Sequence, residues 1–215
     1  FSDPPEESCV RLAGFCASIS NESFSPVTVN TSDCQDAVIS ETHLTLAFPD
    51  RIESWHGQLG HGGLIPEEEP RTVEALWGMS IRSVAAGGWH SVCVGGGDLY
   101  VWGWNESGQL GLPSRGLRKD EELHEEVFIS IQAFPALVDV SPSCEISTVS
   151  CGSRHTAAVT TGYLYTWGWE YGQLGHQTTS SLDEPQCVEF FRTENLHVVD
   201  VVCGSWNTFT AAVKK

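Results

Sequence analysis

Residues 87–112 read GGWHSVCVGGGDLYVWGWNESGQLGL, and this stretch decides the fold because the chain repeats it. Residues 152–176 read GSRHTAAVTTGYLYTWGWEYGQLGH, and in both copies the first Trp of W-G-W stands twelve positions after the His. A shorter copy occupies 43–60, and a fourth begins at Cys203. A long unit that recurs at intervals of tens of residues indicates a solenoid or a propeller.

Each copy predicts a β-hairpin followed by a sharp bend. Apolar and polar residues alternate from His90 to Val94, three glycines interrupt, and Leu99–Trp102 resumes, which is typical of strand, tight turn and strand. The G-Q-L-G that follows places one leucine between two glycines, so we expect the bend to return Leu110 and Leu174 beneath the sheet. The copies show no helical periodicity between them.

The G-x-x-H start, the Trp-Gly twelve positions later and the closing G-Q-L-G resemble the regulator-of-chromosome-condensation repeat family, over most of 41–213. The resemblance implies an all-β fold, a seven-bladed β-propeller. Because 215 residues are too few for seven such blades, we expect an incomplete β-propeller of three to four blades, from a fragment, an isoform or an incomplete gene model. An open set of blades leaves unpaired sheet edges, which predicts low solubility.

This interpretation divides the chain into an irregular or partial-blade lead-in at 1–36 and a partial propeller at 37–215. The predicted repeat units are about 37–70, 71–140, 141–202 and the start of another at 203–215. The insertion at 114–126 is a solvated loop or a recognition loop. Val127–Val140 should return to strand with Pro135 in a turn or at an edge, and Glu189–Val213 should supply the outer strand of one blade and begin the next.

Positions that recur between copies are predicted to be structural. They are Gly87, His90, Trp102, Gly108, Leu110 and Gly111 in one copy, and Gly152, His155, Trp167, Gly172, Leu174 and Gly175 in the next. A histidine present once per blade suggests a hydrogen bond to a neighbouring turn rather than a metal site. The second Trp of each W-G-W could join the first in an aromatic cage for methylated lysine, but packing against the adjacent blade is the preferred interpretation.

Three residues fill the variable position of G-x-x-H and are the candidate partner-binding residues: Trp89, Arg154 and Trp206. This position lies in a turn before a strand, where packing does not require Trp or Arg. Both residue types dominate the hot spots of protein interfaces. The alternative is that each Trp covers the edge of its own blade.

Composition argues against several functions. Eleven Lys and Arg oppose 28 Asp and Glu, giving a net charge of −17, which repels nucleic acid and favours basic partners, although acidity also serves solubility. The eight cysteines form no C-x-x-C, and no catalytic or nucleotide-binding motif occurs. We therefore predict no catalytic residue, cofactor, metal or small-molecule substrate. The sequence shows neither a signal peptide nor a membrane-length apolar run, so we expect no membrane association and no glycan at Asn105.

Function follows only from the resemblance. The founding member of the family is an exchange factor for the GTPase Ran and binds nucleosomes, but neither activity transfers residue by residue. The likeness to a compact chromosome-associated member implies an adaptor that partners a JmjC-type oxygenase and influences histone methylation and chromosome segregation on the mitotic spindle. We predict a non-enzymatic scaffold in the nucleus and on chromosomes, with a cytoplasmic fraction, whose partners are a JmjC-type oxygenase and histones. The alternatives are a guanine-nucleotide exchange factor for a small GTPase and a truncated product without independent function.

Overall fold

A computed structural model describes residues 9–12, 27–30, 33–40, 42–55, 60–63, 71–117, 127–141 and 145–215. The prediction of an all-β, incomplete propeller is confirmed. Three antiparallel sheets have four strands each and two sheets have two. The strands of each four-stranded sheet follow one another in chain order, and the first strands of neighbouring sheets contact each other. Each such sheet is therefore one blade, and its first strand is the innermost.

The strands are distributed over the blades as follows. A separate pair consists of β1 (Cys9–Leu12) and β2 (Val27–Asn30). Blade 1 consists of β3 (Asp36–Ile39), β4 (Leu44–Ala47), β5 (Ile52–Trp55) and β6 (Arg71–Thr72). Blade 2 consists of β7 (Ile81–Ala86), β8 (His90–Gly95), β9 (Asp98–Trp104) and β10 (Ile131–Val138). Blade 3 consists of β11 (Ile146–Cys151), β12 (His155–Thr160), β13 (Tyr163–Gly168) and β14 (Leu182–Cys187). The half-blade consists of β15 (Leu196–Gly204) and β16 (Asn207–Lys214).

Three short helical segments connect the strands. They are two 3₁₀ turns, Glu74–Leu76 and Arg115–Leu117, and the helix α1, Glu189–Thr193. Within the described residues, no helix is long and apolar enough to cross a membrane.

The hairpin at the centre of blade 2 shows why glycine is required there. β8 and β9 are joined by Gly96 and Gly97, whose φ angles are +64° and +97°. Both central residues of a tight hairpin turn of this hand need positive φ, which side chains resist. The glycine run thus fixes the register, and His90 pairs with Gly103 across the sheet.

The core lies between neighbouring blades. Trp102 of blade 2 is fully buried in one cluster with Ile52 of blade 1 and with Val73, the residue directly after the last strand of blade 1. Trp167 of blade 3 is likewise buried in a cluster with Val92 of blade 2. Each fully buried side chain of this size contributes about 2 to 3 kcal/mol. The first Trp of W-G-W therefore anchors each blade to the preceding one.

Two predictions about outer strands had different outcomes. Pro135 does lie in an edge strand, β10, where the pairing register shifts between Gln132 and Ala136. The prediction that Glu189–Val213 supplies an outer strand was wrong, because that strand is β14 and α1 follows it. The sequence of β14 is polar and contains a proline, so it does not predict a strand. An edge strand nevertheless tolerates proline.

Two further predicted boundaries are the start of the last repeat unit and the insertion. β15 begins at Leu196, ahead of the predicted unit start at 203. Residues 118–126 of the predicted insertion lie outside the described residues. Among the cysteines whose side chains the structure describes, five are free thiols: Cys34, Cys93, Cys151, Cys187 and Cys203.

Candidate partner-binding rim

The G-x-x-H turns lie side by side at one end of the inner strands. Residues 87–89 join β7 to β8, 152–154 join β11 to β12, and 205–206 join β15 to β16. The N–H of Gly88 donates to the carbonyl of Ser153 at 3.2 Å, and the N–H of Ser153 donates to the carbonyl of Ser205 at 3.0 Å. We call these turns, with Trp104 and Trp169, the rim. It borders an opening of about 640 Å³ between the inner strands.

A hydrogen bond between neighbouring blades positions each turn, and we call it the interblade clasp. In each clasp, Nε2 of the repeat histidine hydrogen-bonds a side-chain hydroxyl in the next blade. That hydroxyl belongs to the residue directly after the position equivalent to the histidine. The pairs are His43 with Ser91 at 2.7 Å, His90 with Thr156 at 2.8 Å, and His155 with Thr208 at 3.0 Å. The expected partner was a neighbouring turn, whereas the partner observed is the start of a strand in the next blade.

The tautomer of the central clasp follows from its bonds. The Thr156 hydroxyl donates its only proton to the carbonyl of Gln109 at 2.7 Å, so it must accept from Nε2–H of His90. His90 therefore carries a proton on Nε2. Burial lowers the pKa of His90 to about 3 and that of His43 and His155 to about 4, with the neighbouring histidines contributing at His90.

Close packing explains the leading glycine. A Cβ on Gly87 would stand 2.1 Å from Cε1 of His90, and one on Gly152 would stand 2.1 Å from Cε1 of His155. Blade 1 has Ser40 at this position, and the Ser40 hydroxyl instead hydrogen-bonds Nδ1 of His43 at 2.9 Å. The histidine and the glycine therefore both serve the joint between blades.

The variable positions of the same turns face outward. Trp89 is 48% exposed, Trp206 is 57% exposed and Arg154 is half-buried. Trp206 meets Trp169 edge-on at 5.6 Å between ring centroids, and the guanidinium of Arg154 lies 5.2 Å from the Trp169 ring. The structure thus brings Arg154 and Trp206 together around one aromatic ring.

Trp89 forms a second aromatic pair. Its ring centroid lies 5.9 Å from that of Trp104, with the planes at 53°. The expectation that both Trp residues of W-G-W pack in the core holds only for the first Trp of each copy, Trp102 and Trp167, because the second, Trp104 or Trp169, is half-buried at the rim. Gly103, between Trp102 and Trp104, has φ of +108°, so the strand does not keep both rings in one environment.

The G-Q-L-G bend places its leucine as expected. Leu110 is fully buried, and Leu174 is almost so. Gly108 and Gly111 adopt φ of +76° and +70° and lie against β14 and Trp167 of blade 3. In blade 3, Gly172 and Gly175 adopt φ of +108° and +78°.

Two buried polar residues hold the bends, and sequence reasoning missed them. Asn105 Oδ1 accepts from the N–H of Leu110 at 3.0 Å, and its Nδ2 donates to the carbonyls of Leu112 and Ile129. Glu170 accepts from the N–H groups of Gly172 and Leu174. Each follows directly after W-G-W, which is the signal that could have identified them. Buried Asn105 also has no room for a glycan.

Two arginines line a pocket beside the rim. A pocket of about 440 Å³ is lined by Arg115, Arg154, Glu106 and three serines. Neither arginine forms an ion pair with another residue in the described part of the chain. The acidity of the whole chain therefore does not extend evenly over the rim. Among the described residues, no three His, Cys, Asp or Glu side chains come together as a possible metal site.

Comparison with known proteins identifies the repeat, in units that run from the third strand of one blade to the second strand of the next. The family model for the regulator of chromosome condensation (RCC1) repeat matches residues 54–94, 96–159 and 161–211. The chain is 50% identical over 207 residues to human RCC1 domain-containing protein 1, covering 82% of this chain and 55% of that protein. The mouse protein of that name is 48% identical over 205 residues, covering 82% and 54%. The chain thus spans about half the length of these relatives.

A solved structure has the same fold. The crystal structure of Prp20p from Saccharomyces cerevisiae, described with its binding to Gsp1p and histones, superposes with a TM-score of 0.74 at 23% identity. The superposition covers 89% of this chain and 46% of Prp20p. At this identity the likeness establishes the propeller architecture.

Proposed function

The chain belongs to the RCC1 repeat family, and on that premise we propose that it is a non-enzymatic, chromatin-associated scaffold in the nucleus that binds protein partners through its rim. The observation that carries the proposal is the exposure of Trp89 and Trp206 at positions that the fold leaves free. Trp and Arg dominate the hot spots of protein interfaces, and a Trp ring buries much surface with little loss of conformational entropy. Their position on one face supports the rim as the contact surface.

The proposed partners are a JmjC-type oxygenase and histones, with consequences for histone methylation and chromosome segregation. The net charge of −17 supports a basic partner such as a histone. The rim cations add complementary contacts for acidic groups on the partner. Recognition of protein in this manner requires neither a cofactor nor a small-molecule substrate.

Binding measurements with rim variants test the proposal. The double variant Trp89→Ala/Trp206→Ala should bind the H3–H4 tetramer and a JmjC-type oxygenase at least tenfold more weakly by calorimetry, since each hot-spot Trp contributes about 2 kcal/mol or more. Trp77→Ala is the matched control, because Trp77 is 67% exposed and lies outside the rim. It should bind like the wild type. Equal binding by the rim variant would exclude the rim, and no binding by the wild type would exclude these partners.

An exchange assay distinguishes the scaffold from the rival interpretation. Prp20p was characterised with Gsp1p, so a Ran-type GTPase loaded with fluorescent GDP is the appropriate substrate. A scaffold leaves the rate of GDP release unchanged over a range of chain concentrations. A rate that rises with chain concentration would instead establish an exchange factor.

A further inference from the structure

The pocket of about 440 Å³ beside the rim lies between blades 2 and 3, and we call it the arginine pocket. Blade 2 forms one wall from the long connection between β9 and β10, which carries Glu106, Ser107, Ser114, Arg115 and Ser130. Blade 3 contributes Arg154 from the rim turn that joins β11 to β12. Arginines from two different blades therefore line one cavity.

These two arginines lack the carboxylate partner that other arginines of the chain have. Arg51, Arg82 and Arg192 each form an ion pair with an Asp or Glu. Arg115 and Arg154 form none with the described residues, although the chain carries 28 acidic residues against 11 basic ones. A guanidinium presents its N–H donors in a planar fork that matches the oxygens of a carboxylate or a phosphate. The arginine pocket therefore offers two such forks to an anion.

The backbone is fixed on both sides of the pocket. The N–H of Ser114, the residue directly before Arg115, donates to Oδ2 of Asp183 at 2.9 Å. The carbonyl of Arg154 accepts from the N–H of Trp169 at 2.8 Å, and the Arg154 guanidinium lies 5.2 Å from the centroid of the Trp169 ring. A guanidinium held against a ring loses less conformational freedom when it binds an anion. Both arginines therefore start from fixed backbone positions, and the side chain of Arg154 is also positioned.

Two serine hydroxyls in the pocket favour a phosphate over a carboxylate. Within the described residues, Ser107 and Ser130 form hydrogen bonds through their backbones only, so their hydroxyls are available as donors. A phosphorylated serine carries a charge of about −1.5 to −2 at neutral pH, and it has one acceptor oxygen more than a carboxylate has. Two guanidinium groups and two hydroxyls therefore match a phosphate better in both charge and number of donors.

The acidic residue of the pocket indicates what surrounds the phosphate. Glu106 is exposed and forms no ion pair with a described residue, so it repels an isolated anion. When the phosphate belongs to a basic segment, a flanking Lys or Arg can pair with Glu106. The net charge of −17 likewise favours a segment whose other residues are basic, and it disfavours a nucleic acid or an anionic membrane.

We propose that the arginine pocket binds a phosphorylated serine or threonine within a basic segment of the partner. This inference rests on the proposed function, because it specifies the chemistry of a partner that the rim binds. Arg115 and Arg154 bind the phosphate oxygens, and Glu106 pairs with a flanking cation. Trp89 and Trp206 contribute contacts that do not depend on the phosphate. Phosphorylation of the partner thereby controls its binding.

Fluorescence polarisation tests the proposal with one basic peptide in three forms, which carry serine, phosphoserine or aspartate at the same position. The chain is acidic, so attraction by net charge alone favours the serine form, which is the most basic. The full chain should nevertheless bind the phosphoserine form at least about tenfold more tightly than either other form, because hydrogen bonds to charged groups are strong.

Arginine variants locate the site of this preference. Arg115→Gln and Arg154→Gln should each reduce the ratio of phosphoserine to serine affinity at least about threefold. Circular dichroism should show both variants folded, because neither guanidinium forms an ion pair with a described residue. Arg82→Gln is the matched control, since it removes the same charge from an exposed arginine outside the pocket. It should leave the ratio unchanged.

Several results would overturn the proposal. Equal or tighter binding of the serine form would exclude a phosphate site, and equal binding of the aspartate form would indicate a carboxylate site. A ratio that persists in both arginine variants, or that falls equally in Arg82→Gln, would place the phosphate elsewhere. Displacement of the peptide by inorganic phosphate or single-stranded RNA at the concentration of the peptide would indicate a free anion or a nucleic acid as the ligand.

The same peptides separate this proposal from the proposed function. Trp89→Ala/Trp206→Ala should weaken the binding of all three forms by the same factor and leave the ratio unchanged. If that variant weakens binding but no form is preferred, the arginine pocket proposal fails and the rim remains the contact surface. If the phosphoserine form is preferred but the variant binds normally, the tryptophans do not take part and the proposed function fails alone.

Discussion

Removing one hydroxyl from the central interblade clasp should destabilise the fold far more than its size suggests. In Thr156→Val, Nε2–H of His90 loses its acceptor at 2.8 Å while remaining fully buried. A buried donor left unpaired costs about 1 to 3 kcal/mol. The bond to the Gln109 carbonyl at 2.7 Å is also lost, at about 1 kcal/mol, although that carbonyl keeps the indole N–H of Trp167 at 3.0 Å. The expected decrease in the free energy of unfolding is about 2 to 4 kcal/mol.

Urea denaturation followed by tryptophan fluorescence measures this decrease. Thr193→Val is the control, because its exposed hydroxyl also donates one hydrogen bond, to the Phe190 carbonyl at 3.0 Å, but can be replaced by water. It should change the free energy of unfolding by no more than about 0.5 kcal/mol. If the two variants lose the same amount, the clasp does not stabilise the joint between blades 2 and 3, and the reasoning from buried unpaired donors fails here.

Three further predictions follow from the same joints. Burial lowers the pKa of the clasp histidines to about 3 or 4. As the pH falls below about 6.5, these histidines therefore gain protons in the unfolded chain before they do in the folded one. The free energy of unfolding should fall by up to about 1.4 kcal/mol per pH unit per histidine toward pH 4. Urea midpoints that do not change from pH 7 to pH 4.5 would contradict this. Gly87→Ala should cost about 1 to 3 kcal/mol in the same assay because its Cβ meets the His90 ring, whereas Gly63→Ala, with open space around it, should be neutral. Expressed in a secretory host and purified in the folded state, the chain should carry no glycan at Asn105 by peptide mapping, because that side chain is buried with three hydrogen bonds.

The sequence predicted what is local to one repeat and missed what joins two repeats. The hairpin of β8 and β9 and the burial of Leu110 follow from alternation and glycine placement within a few residues. The clasp hydroxyls lie 48 to 66 residues from their histidines, so no local pattern reveals the pairing. The outer strand β14 escaped notice because its polar sequence reflects an exposed edge, where burial sets no alternation.

Each rim turn combines two positions that hold the joint between blades with one position whose side chain is free to vary. In G-x-x-H, the glycine must stay small because the histidine ring packs against it, and the histidine donates its Nε2–H to the next blade. Of the two positions between them, the first forms a backbone bond to the neighbouring turn, and the second accepts a backbone bond from the second Trp of W-G-W in its own blade. Trp89 and Arg154 can therefore differ in chemistry while their backbones occupy equivalent places. A repeat built in this way keeps the joint constant and leaves one exposed side chain per blade free to vary, which is the side chain that the proposed function uses.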